Sequence, residues 1–180
     1  PSLSTAPYRR VGVRRDPREA GVVRGAVAGE RRERRAARGV SPAAVVRMVP
    51  PERLAERTWL LDSPFTAGAP VRAAIALSET LWPWHWGITG STGYALATQR
   101  LVLHAASDLD LVIRAPEPLP RDALQQWLTQ TDALDCRVDT QVETPSGAFA
   151  LNEWLREGRV LLKTDTGPIL TASPWSRENP

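Results

Sequence analysis

Ser107-Asp-Leu-Asp-Leu-Val-Ile-Arg114 is the stretch on which the reading of this chain turns. Apolar and acidic residues alternate at its start, as in a strand, where residues two apart point to the same side. Asp108 and Asp110 then leave one face while Leu109, Leu111 and Ile113 enter a core on the other. Two acids held parallel repel each other. A divalent cation relieves that repulsion, and magnesium in particular takes one or two carboxylates and completes its shell with phosphate oxygens. Upstream, Gly90-Ser91-Thr92-Gly93 supplies the complementary half, because a small-residue turn opening a helix offers backbone N–H groups and a hydroxyl to a phosphate chain.

Each half alone is ordinary. Asp-x-Asp is common on solvated strand edges, and Gly-Ser-Thr-Gly by itself signals only a loop. Their order and spacing carry the reading, together with a third acid. Asp139 lies in Cys136-Arg-Val-Asp-Thr-Gln-Val-Glu143, a second stretch with strand character. There Asp139, Gln141 and Glu143 share one face and Val138 and Val142 take the other. A phosphate-binding turn followed by three acids is the equipment of nucleotidyl transfer.

Around this centre the pattern is α+β. Short strands are expected around Val11, Val13, Val22 and Val23, then a helix from about Glu30 to Arg38, another opened by Ser41-Pro42, and a third from Pro50-Pro51. Ser63-Pro-Phe-Thr-Ala-Gly-Ala-Pro70 has the richest loop composition in the chain and marks a boundary. It separates a small basic N-terminal α+β domain, residues 1–66, from a catalytic domain, residues 67–180, with a mixed sheet and flanking helices. In the second part a helix is expected from Val71 to about Leu81, with Ala73, Ala74, Leu77 and Leu81 buried and Pro83 as its stop. Trp82-Pro-Trp-His-Trp86 reads as core packing in preference to a wall for a base. A helix from Pro120 to about Leu134, a hairpin at Thr144-Pro-Ser-Gly147, a short helix from Leu151 and a strand from Val160 to Thr164 complete the pattern.

With 180 residues, 42% of them apolar, the chain can build a proper core, and no apolar run approaches the roughly 18 residues of a membrane span. A single cysteine, Cys136, excludes an internal disulfide framework and fits a cytoplasmic protein. Residues 1–60 hold 14 arginines against 6 acids, a balance of +8, and residues 61–180 hold 9 basic against 14 acidic residues, a balance of −5. A basic front half points to an acidic partner or polyanionic ligand. Its aromatics, Tyr8 and Trp59, are too few for a stacking platform, so nucleic acid is not expected. Arg31, Arg34, Arg35 and Arg38 would line one face of the helix before Gly39, either a solvated face or a docking face. His85 and His104 have no partner at metal-ligand spacing.

Gly90-Ser91, Asp108-x-Asp110 and a later Asp139 together resemble the DNA polymerase beta type nucleotidyltransferase superfamily. A closer resemblance rests on six phrases in one order: Gly90-Ser-Thr-Gly-Tyr-Ala-Leu-Ala-Thr98, Ser107-Asp-Leu-Asp-Leu111, Arg137-Val-Asp139, Glu143-Thr-Pro-Ser-Gly-Ala148, Asn152-Glu-Trp154 and Val160-Leu-Leu-Lys-Thr164. These are similar to the family of malonate decarboxylase holo-acyl-carrier-protein synthases, the phosphoribosyl-dephospho-CoA transferases. The similarity is strong over residues 80–175 and weaker over the first 60 or so. Two departures stand out. Gln99-Arg100 stands where the family usually has glycine after the Ala-Thr pair, and the chain opens at Pro1, so an N-terminal element of the family is expected to be missing.

The resemblance implies a donor, triphosphoribosyl-dephospho-CoA, and an acceptor, a serine hydroxyl on the acyl-carrier subunit of malonate decarboxylase, with pyrophosphate released. In the expected mechanism Asp108 and Asp110 share magnesium ions, and Asp139 completes the metal site and takes the proton of the attacking hydroxyl. Ser91 and the N–H groups of residues 91 to 93, in the Gly90 to Gly93 turn, grip the pyrophosphate. Lys163, the single lysine, either adds a point charge to the phosphates or is a surface residue. The alternatives are another metal-dependent nucleotidyltransferase with a different acceptor, and a degenerate domain that only binds.

Overall fold

A computed structural model describes residues 11–13, 23–27, 36–40, 43 and 47–176 of the chain. Contacts divide the chain into two units, Pro1–Met48 and Val49–Pro180. In the first unit β1 (Val11–Val13), β2 (Val23–Val27) and β3 (Ala36–Val40) form one antiparallel sheet in that order. The first two fall where the valines place strands. β3 corrects the helix expected up to Arg38, since Arg38 pairs with Gly25 and Val40 with Val23. Arginine and alanine favour a helix by small increments per residue, and pairing along a strand outweighs them. Arg31, Arg34 and Arg35 lie outside the described residues, as do Ser41 and Pro42.

The second unit opens with α1 (Pro51–Leu54), α2 (Arg57–Leu61) and α3 (Ala69–Leu77), and continues with β4 (His85–Thr89), α4 (Gly90–Thr98) and β5 (Leu109–Arg114). α5 (Arg121–Asp132), β6 (Val138–Thr144), β7 (Gly147–Ala150), α6 (Leu151–Glu157), β8 (Val160–Thr164) and β9 (Gly167–Thr171) follow. The loop-rich stretch 63–70 lies within this unit. Leu54 and Leu60, before it, are buried in the same core as Val71 and Leu77, after it. The architecture is a mixed α+β one, a six-stranded sheet in the order β4-β5-β6-β7-β8-β9 with flanking helices. Only β5 and β6 run parallel. A parallel pair cannot be joined by a tight turn, and α5 supplies the crossover.

Leu109, Leu111 and Ile113 of β5 are fully buried, as their alternation requires, and β6 turns Val142 inward while Asp139, Gln141 and Glu143 stay half-exposed. The tryptophans of the 82–86 segment pack. Trp82, Trp84 and Trp86 surround the fully buried Trp127 of α5 with ring centroids 4.8, 5.9 and 5.6 Å away. Trp127 Nε1 donates to Thr140 Oγ1 at 3.0 Å, so the indole is buried without leaving its polar atom unpaired.

α3 is shorter than its apolar spacing predicts. Ala73, Ala74 and Leu77 are buried, but Leu81 is 97% exposed. The helix is capped at Ser78, whose N–H donates to the Ala74 carbonyl and whose hydroxyl donates to the Ile75 carbonyl at 2.6 Å, three residues before Leu81.

α4 ends on Gln99, which takes φ 55° and ψ 26°, the left-handed position that glycine fits without strain, with its N–H on the Ala95 carbonyl at 2.7 Å. Gln99→Gly should therefore raise stability by roughly 0.5–1 kcal/mol. Gln99→Val, branched at Cβ, should lower it, and the urea midpoints of the two variants should bracket the unaltered protein.

Candidate active site

Strand register assembles the site. Thr89 of β4 pairs with Asp110 of β5, and Asp110 pairs with Asp139 of β6, so the three stand in one row across adjacent strands. Residues paired this way point to the same side of the sheet at a strand spacing of about 4.8 Å. Two acids separated by 28 intervening residues thus become neighbours. Asp108 sits just before β5 and is half-buried, two residues from Asp110. Its backbone carbonyl accepts the Thr92 hydroxyl at 3.1 Å, and the Asp110 carbonyl accepts the Thr89 hydroxyl at 3.3 Å. The helix α4 is tied to the acid-bearing strand at both aspartates.

Gly90, the first residue of α4, has φ +63°, and a Cβ built on it would lie 1.9 Å from Asp110 Oδ2. The Asp110 carboxylate rests directly on the place where a side chain would be. At Gly93 a Cβ would lie 2.8 Å from the Ile88 carbonyl oxygen, so α4 starts in close contact with β4. Gly90 is exposed and Ser91 half-buried, whereas Thr92 and Gly93 are buried. Thr92 is therefore a clamp on Asp108, and the open end of the turn is Gly90-Ser91.

Beside the acids lies an open cleft of about 220 Å³ lined by Asp110, Asp139, Gln141 and Asn152, with Leu128 and Thr140 among its walls. Arg137, the residue before β6, donates from Nη2 to Asp139 Oδ2 at 2.7 Å, with the two side chains 70% and 46% exposed. The hydrogen bond to Asp139, and then the charges of Asp139, Asp108 and Asp110, hold the guanidinium proton more tightly than usual. Burial, and then the charges of Asp108 and Asp135, push the Cys136 thiol above its ordinary value. A raised thiol pKa disfavours the thiolate that a nucleophile needs.

Lys163 is exposed on β8 and pairs with Ala148, which pairs with Glu143. That row lies four residues along β6 from Asp139, roughly 13 Å by strand rise, and two strands further across. Lys163 is not brought to the acids. The same row holds Arg114, which donates to both Glu52 and Glu143 and so ties α1 to β5 and β6. Burial raises the Glu52 carboxyl, but its hydrogen bond with Arg114 and the neighbouring charges outweigh this and hold it below its ordinary value. Its contribution to stability is present at neutral pH and is lost as pH falls through that lowered value.

Among the described residues no three His, Cys, Asp or Glu side chains converge as a ready-made metal cage. The donor set instead suits an ion held by one or two carboxylates and completed by phosphate oxygens, because Asp110 and Asp139 border one cleft with Asp108 close by. The roles of Arg137 and Asn152 were not read from the sequence. The Arg-x-Asp spacing, with both residues on one strand face, was the available signal for the first.

The family model described as phosphoribosyl-dephospho-CoA transferase MdcG C-terminal domain matches residues 60–174. A phosphoribosyl-dephospho-CoA transferase of Klebsiella pneumoniae (strain 342) is 61% identical over 168 residues, 93% of this chain and 82% of the relative. Enzymes of the same name from Azotobacter vinelandii and Pseudomonas putida are 41% and 40% identical, over 93% and 92% of this chain and 80% of each relative. No solved structure matches. The chain belongs to the phosphoribosyl-dephospho-CoA transferase family and is a transferase. No helix among the described residues is long and apolar enough to cross a membrane.

Gly90→Ala should destabilise the protein by roughly 1–3 kcal/mol, more than Gly158→Ala, whose φ is +68° but whose Cβ would meet nothing within 4 Å. The difference between the two in urea unfolding isolates the collision with Asp110, and only the first variant should also lose transfer activity.

Proposed function

We propose that this chain transfers the phosphoribosyl-dephospho-CoA group from triphosphoribosyl-dephospho-CoA to a serine hydroxyl of the malonate decarboxylase acyl-carrier subunit, with release of pyrophosphate, on a nucleotidyltransferase-like site. The observation that carries this reading is the row of Asp110 and Asp139, set against Gly90 at the start of α4. The family and its name support the transferred group.

In this mechanism Asp110 and Asp139, with Asp108, would hold magnesium. When bound, the metal supplies positive charge to the phosphate oxygens and lowers the pKa of the attacking hydroxyl. The serine oxygen forms a bond to the phosphorus joined to the ribose, and the bond from that phosphorus to the oxygen bridging to the next phosphate breaks. Pyrophosphate leaves with the electron pair. Asp139 receives the hydroxyl proton. The start of α4, residues 91 to 93 with its open end at Gly90-Ser91, would receive the departing phosphates, where the positive end of the helix favours negative charge. The amides of Gln141 and Asn152, which line the same cleft as Asp110, would orient the reactants.

Mass spectrometry of the carrier subunit, after incubation with this protein, magnesium and triphosphoribosyl-dephospho-CoA, should show the added group. The same incubation with ATP should show nothing, and adenylylation from ATP would instead mark a nucleotidyltransferase of different substrate. Asp110→Asn should abolish transfer and leave the fold intact, since it removes a charge that repels Asp139.

Asp139→Ala should lower the rate by roughly 100- to 1,000-fold. Glu143→Gln, four residues along the strand and paired with Arg114, should cost stability and little rate. Single-turnover rates beside melting temperatures test this ranking, and the reverse order would show that the wrong carboxylate was placed in the site.

A further inference from the structure

Arg137 takes no part in the steps above, yet it is the guanidinium hydrogen-bonded to Asp139 and under the charge of Asp108 and Asp110. Two other basic groups of the sheet are committed or displaced. Arg114 is held between Glu52 and Glu143, and Lys163 stands in the row four residues along. Resting on the reading of the site as a metal-dependent phosphoryl-transfer centre, we propose that Arg137 is a two-position clamp. Without ligand it occupies Asp139 in place of the cation, and when metal and polyphosphate enter it moves to the phosphate oxygens.

Three observations carry this. The Arg137 side chain is 70% exposed and, among the described residues, anchored through its ion pair with Asp139, and a pair so exposed is weakly held and exchanges readily. The partner it occupies, Asp139, lines the cleft with Asp110, so a cation held there would compete with it for the Asp139 carboxylate. The guanidinium has nearby work once displaced. Three carboxylates and a polyphosphate together bring more negative charge than one or two divalent ions offset, and a planar fork of N–H donors matches phosphate oxygens two at a time. Arg137 directly precedes β6, and its hydrogen bond keeps the guanidinium at the Asp139 carboxylate that borders the cleft. The exchange couples the two ligands: metal frees the arginine, and the freed arginine strengthens the hold on phosphate.

The test is calorimetric titration of the full chain, unaltered and as Arg137→Gln and Arg137→Lys, with magnesium alone and with pyrophosphate in the presence of magnesium. Arg137→Gln should bind magnesium alone more tightly, by severalfold, because the competitor for Asp139 is gone. It should bind pyrophosphate more weakly, by roughly tenfold. Arg137→Lys, which keeps the charge and loses the fork, should fall between on pyrophosphate. The same pattern should appear as a higher donor KM with a smaller change in kcat. If Arg137→Gln matches the unaltered protein on both ligands, the clamp is wrong and the pair is a surface contact. Weaker magnesium binding would also overturn it, by showing that Arg137 holds Asp139 ready for the metal and does not compete for it. An unaltered protein that binds neither magnesium nor pyrophosphate overturns the reading of the site itself, an outcome distinct from failure of the clamp alone.

Discussion

Two like charges on neighbouring parallel strands are the constraint around which the second unit is organised. Asp110 and Asp139 are register partners, and like charges set side by side on neighbouring strands repel. The opposite faces of the same strands supply the counterweight. Leu109, Leu111, Ile113 and Val142 are fully buried, and each contributes about 1.5–3 kcal/mol through burial. The apolar side wins, so the acids can be held together before anything arrives to neutralise them. Arg137, hydrogen-bonded to Asp139, lowers the cost further.

The turn at residues 90–93 depends on that row. Thr89 and Thr92 bond to the backbones of Asp110 and Asp108, Gly90 leaves room for the Asp110 carboxylate, and Gly93 sits on the Ile88 carbonyl. The end of α4 that would meet phosphate and the strand that would hold metal are therefore fixed to each other by contacts a few ångströms long. A shift in one is a shift in the other.

Much of this was legible in the residues. Alternation of apolar and polar side chains is local, so β5, β6, the hairpin at Thr144 to Gly147 and the helix of Leu124 and Trp127 could all be read directly. Register is not local. That Asp139 lands beside Asp110, and not beside Val112, depends on how α5 lets β6 settle against β5, and no spacing along the chain states it. β3 was hidden because its residues favour a helix until β2 pairs with them. β9 was hidden by Pro168, which sits on the outermost strand of the sheet, where a missing donor is tolerated. Leu81 is exposed because the helix ends at Ser78, short of the apolar spacing that would have buried it. Arg137 was quoted in a motif but given no role, because an ion pair is a property of two side chains in space.

The four clustered indoles carry a consequence for observing this protein. Trp82 stacks on Trp84 at 5.6 Å and 19°, and all three tryptophans of that segment press edge-on against Trp127. Chromophores this close couple their excited states, so the cluster should add a paired positive and negative band to the far-ultraviolet circular dichroism, where the strong indole transition lies. Trp127 is bonded to Thr140, the residue between Asp139 and Gln141. The protein thus carries its own optical probe on the underside of the strand that bears the third acid.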